Sequence, residues 1–353
     1  MQTILYQSPE AFTALAAEWN SLVQRSASNV PFLTLEWQSI WWQHFGHGNP
    51  LLVYAFRDEA GTLCGIAPLF LSPWEGPGAS PGEGTGVNSK SGRRELNMVG
   101  CADVSDYLDM IVLPGCEPTV FTALLNAVSA PDVPPWEALD LCNIPEASCT
   151  LQVLGALAQA RGWRAETSQQ EVCPVIHLPS TWDEYLATLD KKERHELRRK
   201  LRRAEHSEET VAWRIVAGEE TLDADLDAFI TLLIKSRPDK AAFMTDNMRH
   251  FFHAIGHAAQ RAGWLQLAFL EVNGVKAAAY MNFDYANHIM VYNSGLDPQN
   301  FQWLSPGIVL VGNLIRHAIE SKRALFDFLR GDEDYKYRLG GQDTHIYRIH
   351  IER

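Results

Sequence analysis

The sequence predicts an α/β (α+β) protein made of two similar halves, each a mixed, largely antiparallel sheet flanked by helices. Three observations predict this class. The chain has 353 residues with 46% hydrophobic side chains, which is enough for two domains with separate cores. Apolar residues recur every three to four positions in some segments and form short strand-like runs in others. Both halves show the same order of elements, a meander followed by a helix and a strand.

The first half, residues 1–178, starts with a short strand and an amphipathic helix. Ser8-Pro9-Glu10 has the residue types of a helix start: a cap, a first-turn proline and a first-turn acid. Apolar residues from Phe12 to Val23 then recur at helical spacing. Residues 73–93 are rich in Gly, Pro and Ser and predict a mobile loop. The other predicted elements are helices at 35–45, 118–129 and 150–161 and strands at 51–56, 63–71, 96–99, 108–112, 138–142 and 172–178.

The second half, residues 179–353, carries clearer signals. Asn273-Gly274 lies between two apolar runs and can supply the positive φ angles of a tight hairpin. A third run at 288–294 completes a three-stranded antiparallel meander. The other predicted elements are helices at 182–204, 222–236, 245–262 and 306–320 and strands at 211–216, 324–329 and 345–351.

Composition and charge exclude several classes of protein. The net charge of −13 argues against general binding to nucleic acid, including DNA. The sequence contains no window of about 18 apolar residues, so it predicts no integral membrane segment. The first residues lack the basic and apolar regions of a secretory signal, so we expect a cytoplasmic protein. The six cysteines are scattered without a C-x-x-C pair, which predicts reduced thiols and neither a disulfide framework nor a zinc cluster.

The segment Ser305-Pro306-Gly307 precedes the most apolar helix of the second half. Ser305 has the type of a helix cap, Pro306 suits the first helical position, and Gly307 leaves room next to the free N–H groups. Such a helix start attracts anions, and a pyrophosphate is the sharpest candidate. A well-capped buried helix would show the same pattern. The corresponding helix of the first half starts with Glu117, whose carboxylate would repel a phosphate, so we expect any anionic cofactor in the second half.

A second group of candidate functional residues lies on and directly after the predicted strand at 324–329. Asp327 alternates with Phe326 and Phe328, so both faces of the strand look buried and the carboxylate needs a partner. Arg330, Lys336 or Arg338 could provide it. The charged residues at the end of a strand are placed where open sheets carry their working groups. A structural ion pair that fixes the loop explains the pattern equally well.

The segment Lys191–Arg203 has a local charge of +6 in a chain of net charge −13. It could bind the phosphates of a cofactor, an RNA such as tRNA, or an anionic lipid or saccharide carrier. A solvated helix face with internal charge pairs is the plain alternative.

Other motifs are absent or weak. His250, His253 and His257 align on one helix face, but no carboxylate or Cys joins them at metal-site spacing, so we expect no metal. The sequence contains no G-x-S-x-G nucleophile elbow, no P-loop, and no G-x-G-x-x-G between a strand and a helix.

The second half resembles a known family. The segments Tyr292–Asp297, Leu304–Gly307 and Asp327–Lys336, together with the basic segment Lys191–Arg203, resemble GNAT-superfamily acetyltransferases described as CelD-like, a name linked to cellulose or exopolysaccharide biosynthesis. Shorter segments of the first half, such as Pro31–Thr34, are also similar to that family. The family is in turn similar to the tandem-GNAT Fem-type aminoacyltransferases.

The resemblance implies two tandem GNAT-like domains, at 1–178 and 179–353, with an acyl-CoA donor bound by the second. Ser305, Pro306 and Gly307 would open the helix that faces the CoA pyrophosphate. The sequence departs from the ordinary GNAT pattern, because a Q/R-x-x-G-x-G/A loop is absent before that helix. Acetyl-CoA, a longer acyl-CoA and an aminoacyl-tRNA therefore all stay open as donors.

Acyl transfer requires loss of an acceptor proton, stabilisation of an oxyanion and protonation of the leaving thiolate. We expect Asp327 or Asp332 as base or acceptor-positioning carboxylate, and Tyr292 or Tyr335 as proton donor. The substrate-binding candidates are Arg330, Lys336 and Ser294. The leading hypothesis is acyl transfer, favouring N-acetylation, to a small molecule, saccharide or cell-envelope precursor. The alternatives are a Fem-like aminoacyl-tRNA-dependent transferase and a non-catalytic GNAT-fold binding protein in polysaccharide synthesis.

Overall fold

The computed structural model describes residues 1–46, 48–72, 94–101 and 104–353. The loop predicted at 73–93 lies outside the described residues. The chain divides into two compact units: the first consists of Met1–Glu171 with His345–Arg353, and the second of Val172–Thr344. The sequence predicted a domain boundary between residues 178 and 179, and the two units of the structure meet between residues 171 and 172. The last residues of the chain, His345–Arg353, belong to the first unit.

Strands and helices alternate along the chain, as expected for a mixed α/β protein. The strands are β1 Gln2–Tyr6, β2 Leu51–Arg57, β3 Leu63–Ser72, β4 Glu95–Met98, β5 Ile111–Val112, β6 Ala138–Pro145, β7 Arg164–His177, β8 Val211–Ile215, β9 Leu265–Val272, β10 Val275–Tyr285, β11 His288–Leu296, β12 Leu325–Asp327 and β13 Gln342–Glu352. The helices are α1 Glu10–Ala14, α2 Ala16–Arg25, α3 Leu35–Phe45, α4 Glu117–Ala127, α5 Cys149–Gln159, α6 Trp182–Thr188, α7 Lys191–Glu205, α8 Leu222–Ser236, α9 Pro238–Phe243, α10 Asp246–Arg261, α11 Pro306–Glu320 and α12 Asp334–Arg338. No described helix is long and apolar enough to cross a membrane.

In the first unit the strands lie in the order β1-β2-β3-β4-β6-β13. The pairs are antiparallel except β4 with β6, which is parallel. A polar group lies inside this unit: the Asp109 carboxylate accepts hydrogen bonds from the hydroxyls of Ser28, Ser148 and Thr150. These donors satisfy a fully buried carboxylate, although burial still raises the pKa of Asp109.

The expectation of six reduced cysteines is wrong for one pair. Cys101 and Cys142 form a disulfide with a Cα–Cα distance of 6.2 Å. Cys101 follows β4 and Cys142 lies in β6, so the parallel pairing of these strands brings together two residues that are 41 positions apart. The other four cysteines, all among the described residues, are not disulfide-bonded.

In the second unit the strands lie in the order β7-β12-β11-β10-β9-β8. The predicted meander is confirmed as β9, β10 and β11, with Asn273 and Gly274 at positive φ in the first turn. A β-bulge interrupts the pairing of β10 with β11, because Asn282 pairs with Val291 and Met281 pairs with Asn293. Tyr292 is thus the extra residue of the bulge.

Several elements differ from the predicted pattern. The helix expected at 182–204 is broken into α6 and α7, because Leu189 and Asp190 have extended backbone angles. The side chain of Leu189 is buried at this break between the two helices, which explains why an apolar residue occupies a non-helical position. The short helices α9 and α12 were not expected, and β12 has three residues where six were predicted.

One face of the second-unit sheet packs against α6, α7 and α11 in a continuous apolar core. Gly312 lets α11 approach α7, since a Cβ there would lie 3.1 Å from Leu197 Cδ1. The other face is covered by α8 and α10. At Gly295 the backbone of α8 comes so close that a Cβ would lie 2.3 Å from Leu233 N and 2.4 Å from Leu232 C.

This close approach predicts that Gly295→Ala destabilises the protein. The added methyl group meets backbone atoms that cannot rotate away, so we expect a loss of about 1–3 kcal/mol in the free energy of unfolding, measured by urea denaturation. Gly155→Ala is the control, because the nearest atom to its Cβ is 3.9 Å away and the residue lies inside α5. That change should stabilise by about 0.5–1 kcal/mol. Equal effects of the two substitutions would contradict this account of the packing.

Candidate active site

The parallel pairing of β11 with β12 covers only three residue pairs, from His288 with Leu325 to Met290 with Asp327. Beyond them β11 continues through the bulge to Leu296. The chain after β12 turns away, since Leu329 has a φ of 54° and Gly331 a φ of 109°. The edge of β11 from residue 291 onward is therefore not covered by β12.

Asp327 ends β12 and is 5% exposed. Its Oδ1 accepts a hydrogen bond from the Leu329 backbone N–H at 2.7 Å. An Asp side chain bonded two residues on is a common turn device, and here it fixes the turn that contains the strained Leu329. Asp332, the other predicted carboxylate, lies exposed in the loop that follows.

Lys336 is 3% exposed and forms a compact set of contacts below the same loop. Its ammonium group donates to the carbonyls of Leu329 (3.2 Å), Arg330 (2.7 Å) and Gly331 (3.0 Å). It also lies 3.0 Å from Glu333 Oε2. Lys336 thus holds the loop after β12, and these contacts account for its burial without a substrate.

The two tyrosines predicted as proton donors are not brought together. Tyr292 packs against Phe283 and Phe252, with ring centroids 5.0 Å and 5.6 Å away, in the aromatic cluster beneath α10. Tyr335 lies in α12 and packs edge-on against Phe328 at 5.8 Å, next to the core that includes α11. Tyr335 is the neighbour of Lys336 in α12, and the charge of Glu333 acts on it.

Sequence reasoning missed Lys240, which lies in the unexpected helix α9. Its Nζ donates to the Ser294 carbonyl at 2.6 Å, on β11 beyond the end of the β12 ladder. Burial and the positive charge of Arg237 lower the pKa of Lys240 to about 8, although Glu333 acts in the opposite direction. Burial would raise the pKa of Glu333, but Lys336 and Lys240 outweigh it and keep the pKa below its usual value.

Tyr280 was also missed, and it pairs across the sheet with Ser294. Burial raises the pKa of Tyr280, and the Ser294 side chain lies within hydrogen-bonding reach of its hydroxyl. Burial also raises the pKa of Tyr335 well above its usual value, as do Tyr280 and Glu333. Both phenols therefore stay protonated near neutral pH, and Ser294 contacts both Lys240 and Tyr280.

The start of α11 differs in detail from the expected cap. Ser305 is the N-cap residue and Pro306 the first helical residue, as expected, but Ser305 is in the left-handed region, with a φ of 55°, and its side chain makes no capping hydrogen bond. Ser305 instead follows a tight 3-10 turn at Gln302–Leu304, and its carbonyl accepts from the N–H groups of Ile308 and Val309. Pro306 has no N–H. In the described part of the chain, Gly307 keeps the one unpartnered amide of this helix start.

The start of α11 lies beside the end of β11. A Cβ on Gly307 would be 3.4 Å from Leu296 Cδ2. The C-terminal end of α7 is also near, because the Arg203 guanidinium donates to the Trp303 carbonyl in the turn before α11. The helix start, the open edge of β11 and one end of the basic helix thus belong to one region of the second unit.

Part of the basic face of α7 is neutralised locally. Glu196 pairs with Arg199 at 2.6 Å and with Lys200 at 3.7 Å. The rest borders a groove of about 400 Å³ between α6, α7 and α11. The groove is lined by Trp182, Asp183, Leu186, Arg198, Leu201, Arg202, Glu205 and Arg316. Three guanidinium groups against two carboxylates leave it weakly positive.

Part of the second unit is similar to a known family. Residues 191–337 match the model of a family described as "Acetyltransferase (GNAT) domain". The matched segment runs from α7 into α12 and contains Lys240, Tyr280, Ser294, Gly307 and the loop after β12. This match supports the prediction that the chain is an acyltransferase. A search of curated proteins finds no significant match.

Solved structures with the same fold cover nearly the whole chain. FemX superposes with a TM-score of 0.63 at 12% identity, over 99% of this chain and 97% of that one. L-PGS from Bacillus licheniformis gives a TM-score of 0.54 at 12% identity, over 98% and 92%. The C-terminal domain of a putative lysylphosphatidylglycerol synthetase from Agrobacterium fabrum gives 0.55 at 10% identity, over 98% and 93%. At these identities the likeness concerns the fold, and the predicted mixed α/β class is confirmed.

The contacts of Lys336 predict a large effect of Lys336→Met on stability. The loop carbonyls lose their common donor and stay buried, so we expect a loss of about 2 kcal/mol or more in the free energy of unfolding. Arg338→Met, two residues on, is the control, because Arg338 is exposed and pairs only with exposed Asp334 at 3.2 Å in the described contacts. It should change stability by less than about 0.5 kcal/mol in the same urea titration. A Lys336→Met protein as stable as the control would show that the loop does not depend on this ammonium group.

Proposed function

We propose that this chain transfers an acyl group from acetyl-CoA or another acyl-CoA to an amine or hydroxyl acceptor. The acceptor class in this proposal is a small molecule, a saccharide or a cell-envelope precursor. The observation that carries the proposal is the open edge of β11 beyond Met290, which lies between the start of α11 and the cluster of Lys240, Tyr280 and Tyr335.

The donor fits this region for two physical reasons. The Gly307 N–H at the positive end of α11 offers a contact for a phosphate group, and Arg203 lies at the turn before it. The exposed edge of a strand offers backbone N–H and C=O groups that an extended, amide-containing chain can pair with. A pantetheine arm carries such amides, and it would place the thioester near Ser294.

The cluster at Ser294 supplies the proton transfers that acyl transfer needs. With a pKa of about 8, Lys240 is partly neutral near physiological pH and can take the proton of an acceptor. Tyr335 and Tyr280 stay protonated and can donate to the leaving thiolate. Glu333 stays ionised and suits a cationic acceptor. In this proposal Asp327 positions the loop after β12, and Asp332 lies exposed in that loop.

The finer expectations stay predictions. They include the likeness to CelD-like proteins, the link with cellulose synthesis and the cytoplasmic location. The aminoacyl-tRNA donor is the second candidate, and the weakly positive groove beside α7 favours it.

Calorimetry with acetyl-CoA tests the donor. We expect one binding site per chain that weakens at least tenfold in Gly307→Glu, because a carboxylate replaces open space at the helix start. Gly307→Ala is the matched control and should bind like the wild type, since its Cβ makes an ordinary contact with Leu296. Two results together would contradict an acyl-CoA donor: no acyl-CoA binds, and aminoacyl-tRNA protects residues 191–203 from proteolysis. They would indicate aminoacyl-tRNA as the donor.

The lowered pKa of Lys240 is directly measurable. In the folded protein we expect one ¹³C-dimethyl-lysine signal to titrate near pH 8, against about 10.4 for an unperturbed lysine. The signal should be missing in Lys240→Arg and present in Lys235→Arg, which alters an exposed lysine of α8. Transfer activity should rise with pH through the same range, because the neutral amine is the base. A Lys240 signal that titrates with the other lysines would remove it from the proposed mechanism.

A further inference from the structure

A cluster of four side chains joins α8 to α10, on a part of the second unit that the proposed reaction does not use. Asp223 and Asp227 lie one turn apart on α8, and His253 and His257 lie one turn apart on α10. Asp223 Oδ1 is 2.7 Å from His257 Nε2 and 3.4 Å from His253 Nδ1. The ligand atoms of Asp223, His253 and His257 all lie within 4.8 Å of one another.

The expectation that no carboxylate joins these histidines is therefore wrong. The carboxylates come from a different helix, about 30 residues earlier, and the antiparallel packing of α8 and α10 brings them opposite the histidines. Spacing within one helix cannot show this. His250, the third histidine of the predicted face, is exposed and is not part of the cluster.

We propose that Asp223, His253 and His257 form a binding site for a divalent transition-metal ion, Zn²⁺ being the best match. Two imidazoles and one carboxylate are ligand types that Zn²⁺ takes in proteins. Three protein ligands leave a fourth position for solvent, and the cluster is open to solvent because the Asp223 side chain is 75% exposed.

Two of the three distances between the ligand atoms are close to those of a zinc site. Tetrahedral zinc with bonds of about 2.0–2.1 Å places its ligand atoms about 3.3–3.4 Å apart. The distance of 3.4 Å between Asp223 Oδ1 and His253 Nδ1 already has this value. The distance of 2.7 Å to His257 Nε2 must open by about 0.6 Å, which a rotation of the exposed Asp223 side chain can provide.

The surroundings of His253 give a second, independent argument. If Nδ1 binds the ion, Nε2 carries the proton and lies 3.1 Å from Asp227 Oδ1. Arg249 in turn lies 3.6 Å from the same oxygen. A histidine that ligates a metal commonly donates its other N–H to a carboxylate, which fixes its tautomer and orientation. Asp227 is thus placed as the positioning residue of the site.

The location of the cluster gives the ion a structural role. It would tie together the two helices that cover one face of β11, where Gly295 contacts α8 and Tyr292 contacts Phe252 of α10. An ion that binds the folded chain and not the unfolded chain raises the stability of the fold.

Calorimetric titration of the full chain with ZnCl₂, and a thermal melt with and without Zn²⁺, test the proposal. We expect one ion per chain and a melting temperature that rises with Zn²⁺ and falls back with EDTA. His253→Gln and His257→Gln should each weaken binding at least tenfold, and Asp227→Asn should weaken it about tenfold or more. His250→Gln is the matched control on the same helix and should bind like the wild type. Far-UV circular dichroism confirms that each variant is folded.

Three results would overturn the proposal. One is the absence of saturable binding in the wild-type chain, which would leave the four side chains as ion pairs between α8 and α10. Another is binding that His253→Gln and His257→Gln do not weaken. The third is a Co²⁺ complex with thiolate charge-transfer absorption, which would place the ion at cysteines.

Discussion

The short parallel pairing of β11 with β12 is the constraint on which the candidate site depends. A β12 that ran on through residue 329 would occupy the edge of β11 and leave no room for a ligand. Two interactions end the strand: Asp327 accepts the Leu329 N–H, and Lys336 binds three successive carbonyls of the loop. The single Leu329 N–H, bound to Asp327, is no longer available for pairing with β11. The buried charges therefore keep the edge of the sheet open.

The two proposed sites of the second unit lie in different places relative to its sheet. On one face the apolar core with α11 also carries Tyr280 and Tyr335, whose burial keeps them protonated. On the other face α8 packs so closely against β11 that a side chain at position 295 would meet its backbone. Lys240 reaches the edge between them and contacts β11 where β12 has ended. In the proposed reaction the proton-transfer groups lie at this strand edge, while the histidine–aspartate cluster lies on the helices behind it.

The sequence predicted the elements whose signals are local. The meander with its Asn273-Gly274 turn, α8 and α11 have clear periodicity or turn residues, and all are present. The break at Leu189 and the short β12 were not predicted, because burial and the contacts of Lys336 decide them. The same holds for the site. Ser294, Tyr335 and Lys336 lie within recognisable segments, whereas Lys240, Tyr280 and Asp223 act across distant parts of the chain. The Cys101–Cys142 disulfide was missed for the same reason, since strand order brings its cysteines together.

Hydrogen–deuterium exchange with and without acetyl-CoA tests the central claim most directly. The account predicts slower exchange in peptides that contain residues 291–296 and 305–309, because the donor would cover the open edge of β11 and the start of α11. Peptides of β9 and β10, which are already paired on both sides, should not change. Protection confined to the first unit, or none at β11 while acetyl-CoA is bound, would contradict it.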